Sequence, residues 1–121
     1  MSDLRITTRP GASGAVLALT GDLDHDSAPG LREAVGHLAL HPGEQLVLDL
    51  SGLAFCDSSG ISAFIVARNK ALGAQAGIAL AGTPERILRV LRIVGLQQVF
   101  RLHPDARRAA TAWPEPAEST P

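Results

Sequence analysis

Residues 45–50, Gln-Leu-Val-Leu-Asp-Leu, form a nearly continuous apolar run. A strand covered on one face alternates apolar and polar side chains; a strand buried on both faces does not have to. The run is closed on its amino side by His41-Pro42-Gly43 and followed by the polar stretch Ser51–Asp57. A short run with these borders predicts a central strand in a layered α/β domain, and the remaining elements must cover its two faces.

The rest of the chain supplies them. Leu4–Arg9 alternates as an edge strand, Gly11-Ala12-Ser13-Gly14 is a turn, and Ala15–Thr20 is a second strand, the pair forming an antiparallel hairpin. Gly21–Ser27 reads as a polar loop with three carboxylates. Ser27 and Pro29 then open a helix with Leu31, Val35 and Leu38 on one stripe. Ser51–Asp57 reads as a connection, followed by a helix over 58–72 with Ile61, Phe64, Ile65 and Leu72 facing inward. Ile78–Ala81 is a strand. Thr83-Pro84-Glu85 caps a third helix with Ile87, Leu91 and Val94 on its core side, and Gly95 stops it. Val99–Leu102 is a last strand and Asp105–Ala112 a terminal helix. The order β-β-α-β-α-β-α-β-α predicts an α/β sandwich: a mixed four- to five-stranded sheet with about four helices.

The 121 residues suit one domain, placed at 1–112, with a disordered Pro-rich tail at 113–121. Aromatic residues are only 3% of the chain, so the core must be aliphatic. The net charge is −1 and aromatic stacking platforms are scarce, which argues against nucleic acid and against an anionic membrane surface. The single Cys56 cannot form an internal disulfide, and the polar first ten residues lack a signal-peptide pattern. No apolar run approaches the roughly 18 residues of a membrane span. A cytoplasmic protein is expected.

The segment that carries chemistry is Asp57-Ser58-Ser59-Gly60-Ile61, delivered by the central strand to the start of a helix. The first amides of a helix lack internal partners and sit at the positive end of its dipole. Asp57 or Ser58 can cap them. A serine there is also an exposed phosphoacceptor, whose phosphate would add roughly −1.5 to −2 charges at neutral pH. Gly60 omits a side chain and would let another molecule approach.

Asp57-Ser58-Ser59-Gly60 after an apolar strand resembles the phosphorylation motif of STAS-domain anti-sigma factor antagonists. Gly21-Asp22-Leu23-Asp24-His25, followed by Ser27-Ala28-Pro29 and a helix, is similar to that family's first loop, and Leu46–Ser51 to its central strand. The resemblance spans about residues 4–110 and implies a partner switch without catalysis or cofactor. The unphosphorylated antagonist binds an anti-sigma factor that is also a serine kinase, and so releases a sigma factor, as in stress responses. The kinase phosphorylates the antagonist and leaves it; a metal-dependent serine phosphatase restores it. By position Ser58 is the acceptor, with Ser59 the less favoured second hydroxyl. Asp22, Asp24, His25, Asp57, Ser58, Ser59, Gly60 and Ile61 are the expected partner contacts. A monomer is expected.

Other readings are weaker. Ser58 and Ser59 lack the Gly-x-Ser-x-Gly elbow of a hydrolase whose base would be His25, His37, His41 or His103. His37 and His41 lie four apart, as one helix face would require, but no third metal ligand is evident. There is no Walker A loop and no Gly-x-Gly-x-x-Gly. Arg86, Arg89 and Arg92 mark a wet helix face. The main alternative keeps the fold and drops the phosphorylation: a STAS binding module, such as a transporter accessory protein.

Overall fold

The computed structural model describes residues 3–114. The chain runs β1 (Arg5–Pro10), β2 (Ala15–Leu23), α1 (Ala28–Gly36), β3 (Gln45–Cys56), α2 (Ser58–Gly73), β4 (Gly77–Ala81), α3 (Glu85–Ile93), β5 (Arg101–His103) and α4 (Ala106–Thr111). The five strands form one sheet in sequence order. β1 and β2 pair antiparallel; β2, β3, β4 and β5 are parallel neighbours. The element order is the expected one.

The apolar run at 45–50 is explained by two cores. Leu46, Leu48 and Leu50 enter the main core with Leu17, Leu19, Ile78 and Leu80, beneath α1, α2 and α3. Val47 faces the other way and packs with Val16, Ala79 and Ala81 under Ala109 of α4. Both faces of β3 are thus dry, and alternation is lost because neither face needs polar side chains.

Several boundaries and faces differ from the sequence reading. β2 runs on to Leu23, and β3 to Cys56, so much of the expected loop 21–27 and connection 51–57 is sheet. The two ends support one another through the pairs Thr20↔Gly52, Gly21↔Leu53, Asp22↔Phe55 and Leu23↔Cys56, with two register shifts. One shift follows Gly21, whose φ of 104° a side chain would resist. α1 ends at Gly36, and Lys70 Nζ donates to the Gly36 carbonyl at 2.8 Å. His41 therefore lies outside the helix, and its shared face with His37 does not exist. The buried face of α2 is Gly60, Ile61, Ala63, Phe64, Ala67 and Ala71, so Ile61 and Phe64 lie as expected, whereas Leu72 is 50% exposed. Short alanines, and not the larger residues, let this helix lie close to the sheet. α3 begins after Pro84, which occupies the cap position; Thr83 makes no cap bond, and Val94 is exposed beyond the helix end. The last strand is shorter and later than expected, because Val99 is drawn into a turn by its N–H bond to the Leu96 carbonyl.

Asp105 caps α4 by accepting from the Arg108 N–H at 2.7 Å. After α4 the Trp113 indole N–H donates to the Gly43 carbonyl at 2.8 Å, and the ring lies against Gly77, where a Cβ would collide with it. Of the tail expected at 113–121, residues 115–121 lie outside the described residues.

Candidate functional site

The carboxyl ends of β2 and β3 finish side by side, and the Asp57 N–H donates to the Leu23 carbonyl at 3.2 Å. The chain then turns into α2. Asp57 is extended, and its Oδ1 accepts from the N–H groups of Ser59 at 2.9 Å and Gly60 at 3.2 Å. The carboxylate thus satisfies two amides that the helix leaves unpaired and places a negative charge at its positive end. Asp57→Ala is expected to cost about 1 kcal/mol, lowering the melting temperature by roughly 4–8 °C in calorimetry.

Because Asp57 is the cap, Ser58 is released from that duty. It is the first residue of α2 and is exposed, and its hydroxyl has no hydrogen-bond partner among the described residues. Ser59 is half-buried.

The neighbouring loop is held by its own side chains. Asp24 Oδ1 accepts from the N–H groups of Asp26 and Ser27, each at 3.0 Å. Ser27 Oγ accepts from the Asp24 N–H at 2.9 Å and reaches the Asp22 carbonyl at 2.8 Å. Ser27 therefore pins the loop and makes no side-chain cap bond to α1. The Ser27 amide, foremost among these donors, holds the Asp24 carboxyl below the usual carboxylate range. His25 and Asp26 are exposed at the tip. Segments 21–27 and 55–60 carry Asp22, Asp24, Asp26 and Asp57 and no Arg or Lys. A phosphate on Ser58 would find no cation in either segment.

Two expected contact residues face inward. Ile61 is buried in the main core. Gly60 is buried as well, and a Cβ there would lie 2.6 Å from Cys56 Sγ and 2.7 Å from Leu23 Cγ. Its missing side chain seats α2 on the ends of β2 and β3, so the reason for glycine is internal packing and not the approach of a partner. Burial, and then the charge of Asp57, push the Cys56 thiol up to about 12. An unfolded thiol ionises near its ordinary 9.0 while the native one stays protonated. This contribution to stability is therefore complete below pH 9 and is lost as pH rises through about 12. At pH 8 Cys56 should react with iodoacetamide roughly 100- to 1,000-fold more slowly than a cysteine in the unfolded chain, as read by mass spectrometry.

The domain as a whole matches known proteins. A family model described as "Mlab, STAS domain" matches residues 6–103. The chain belongs to the STAS-domain anti-sigma factor antagonist family. It is 31% identical over 99 residues to the anti-sigma-F factor antagonist RsfB of Mycobacterium tuberculosis, covering 80% of this chain and 79% of that one. It is 29% identical over 101 residues to a STAS-domain containing protein of Pseudomonas aeruginosa, covering 82% of this chain and 99% of that one. The crystal structure of an anti-sigma factor antagonist from Mycobacterium paratuberculosis superposes with a TM-score of 0.80 at 26% identity, over 91% of this chain and 93% of that one.

On this STAS domain the sequence reading missed part of the surface beside the acceptor. Phe55, the register partner of Asp22, is 49% exposed. Ser62 and Val66 are exposed one and two turns along α2 from Ser58. Taking 51–57 as a loop concealed Phe55; in the strand the register skips Ala54 between Gly21↔Leu53 and Asp22↔Phe55, and this bulge leaves Phe55 outside although Leu53, two residues earlier, is buried. Among the described residues, no group of His, Cys, Asp or Glu side chains could hold a metal ion, and no helix is long and apolar enough to cross a membrane.

Proposed function

We propose that this STAS protein is an anti-sigma factor antagonist switched by phosphorylation of Ser58. In the unphosphorylated form the surface of Asp22, Phe55, Ser58, Ser62 and Val66 docks an anti-sigma factor that is also a serine kinase, and the sigma factor is released. The kinase transfers the γ-phosphoryl group of ATP to Ser58 Oγ, leaving ADP. A metal-dependent serine phosphatase hydrolyses the ester and returns the hydroxyl.

The observation that carries this reading is the division of labour at the start of α2. Asp57 caps the helix, and the Ser58 hydroxyl, outside on a rigid helix end, has no structural task among the described residues. The four aspartates and the absence of Arg and Lys in segments 21–27 and 55–60 support repulsion at the interface over a new internal contact as the effect of the phosphate. The RsfB relative, named an anti-sigma-F factor antagonist, supports the choice of partner class.

The test is affinity capture from host lysate on Ser58→Ala and Ser58→Asp baits side by side. A kinase-like anti-sigma factor recovered on the alanine bait and lost on the aspartate bait is the expected result. Equal recovery on both, or recovery of transporter subunits alone, would replace the switch with a constitutive binding module.

A further inference from the structure

A second concave site lies on the sheet away from Ser58. β4 and β5 are parallel and end at Ala81 and His103. Just past these carboxyl ends is a cavity of about 350 Å³ whose lining includes Thr83, Leu88, Arg92, Gln97, Leu102 and His103. The β3–β4 pairing stops at Asp49↔Ala81 while β3 continues to Cys56, which puts the phosphoacceptor end roughly 20 Å further along at the usual strand rise.

The polar groups of this cavity are unfinished. Thr83 Oγ1 and Gln97 Oε1 are buried without hydrogen-bond partners; among the described residues Gln45 Nε2 is the other side-chain atom in that state. Buried polar groups are nearly always paired, so two orphans in the wall of one small cavity need an explanation. Thr83 stands directly before Pro84 and α3, yet its hydroxyl accepts no cap bond from a helix N–H. A threonine turns about one side-chain bond and a glutamine about three, so both oxygens can be presented to an occupant.

The lining also limits what the occupant can be. Gln97 Oε1 only accepts, so it needs a donor; the Thr83 hydroxyl can donate or accept. Arg92 is half-exposed and pairs with the more open Glu85 at 3.3 Å, an ion pair weak enough to exchange for an anion. No carboxylate lines the cavity, and Leu88 and Leu102 give it apolar wall. A site of this volume suits a small molecule. We propose that the cavity binds a small aliphatic hydroxy acid, its carboxylate on Arg92, its hydroxyl between Gln97 and Thr83, and its hydrocarbon on Leu88 and Leu102. The proposal does not depend on Ser58.

The test is an amide-resolved NMR titration of the full chain with 2-hydroxyisovalerate, beside isovalerate, which lacks the hydroxyl. Saturable shifts are expected at Gly82, Thr83, Leu88, Gln97 and Leu102, with the Ser58 end unmoved. Isovalerate, and the Arg92→Gln variant with 2-hydroxyisovalerate, should each bind at least about 10-fold more weakly, as loss of a charge-assisted or buried hydrogen bond requires. Gln97→Leu should keep its melting temperature, because it removes an orphaned acceptor, and lose the preference for the hydroxy acid. Absence of saturable shifts up to about 50 mM, equal binding of both acids, or shifts centred on Ser58 would overturn the proposal.

Discussion

Ser58→Asp is expected to bind the anti-sigma factor roughly 100-fold more weakly than Ser58→Ala, a difference of about 3 kcal/mol. The alanine variant removes a hydroxyl that has no partner among the described residues, and so should bind like the unphosphorylated protein. The aspartate variant adds a charge to a surface that already holds Asp22, Asp24, Asp26 and Asp57. On docking, that charge loses water, and segments 21–27 and 55–60 offer it no Arg or Lys. The fold should not notice either change: acidic residues suit the first turn of a helix, and exposed substitutions normally shift stability by less than about 0.5 kcal/mol. Titration calorimetry and thermal unfolding on the same two variants therefore separate a docking effect from a folding one. Equal dissociation constants would remove the basis of the switch, and a large loss of stability in Ser58→Asp would mean that the cap geometry had been disturbed.

Phe64→Ala is expected to be the most damaging single truncation, costing about 3–5 kcal/mol out of the 5–15 kcal/mol typical of a domain. Phe64 is fully buried and heads the largest fully buried side chains. Its neighbours on the same helix face are Ala63, Ala67 and Ala71, all with no exposed surface. Alanines have nothing to swing into the void, so the cavity should persist and the cost should fall toward the upper end. Urea unfolding followed by circular dichroism would read it, with Val66→Ala, at a 41% exposed position on the same helix, as the near-neutral control. A cost below about 1.5 kcal/mol would mean that the core collapses around the missing ring.

Much of this was legible in the sequence because the signals were local. The run at 45–50, the Gly-rich turn at 11–14 and the proline before α3 each report on a few adjacent residues, and together they yield the observed order of elements. What failed depended on distant partners. Gly21-Asp22-Leu23 and Ser51–Phe55 look like loop until they are laid beside one another, where the pairing Thr20↔Gly52 to Leu23↔Cys56 makes both into strand. The face of α2 was placed rightly at Ile61 and Phe64 but carried wrongly to Leu72, because side-chain size was allowed to stand for burial where the helix rests on the sheet through Ala63, Ala67 and Ala71. At the site, the position of Ser58 was readable, and so were the two candidates for the cap. The choice of Asp57 over Ser58, and the inward aim of Gly60, came only from geometry; Ile61 was read both as a core residue of the helix and as a partner contact, and the structure keeps the first.

The docking of Trp113 on Gly77 has a practical meaning. The chain holds a single tryptophan, bonded to the Gly43 carbonyl before the start of β3, whereas Ser58 follows that strand's other end. Its fluorescence is thus an optical gauge of whether the sheet's amino-terminal border is intact, set apart from changes at Ser58. The last described residues, 113 and 114, therefore lie at the sheet border opposite the Ser58 end.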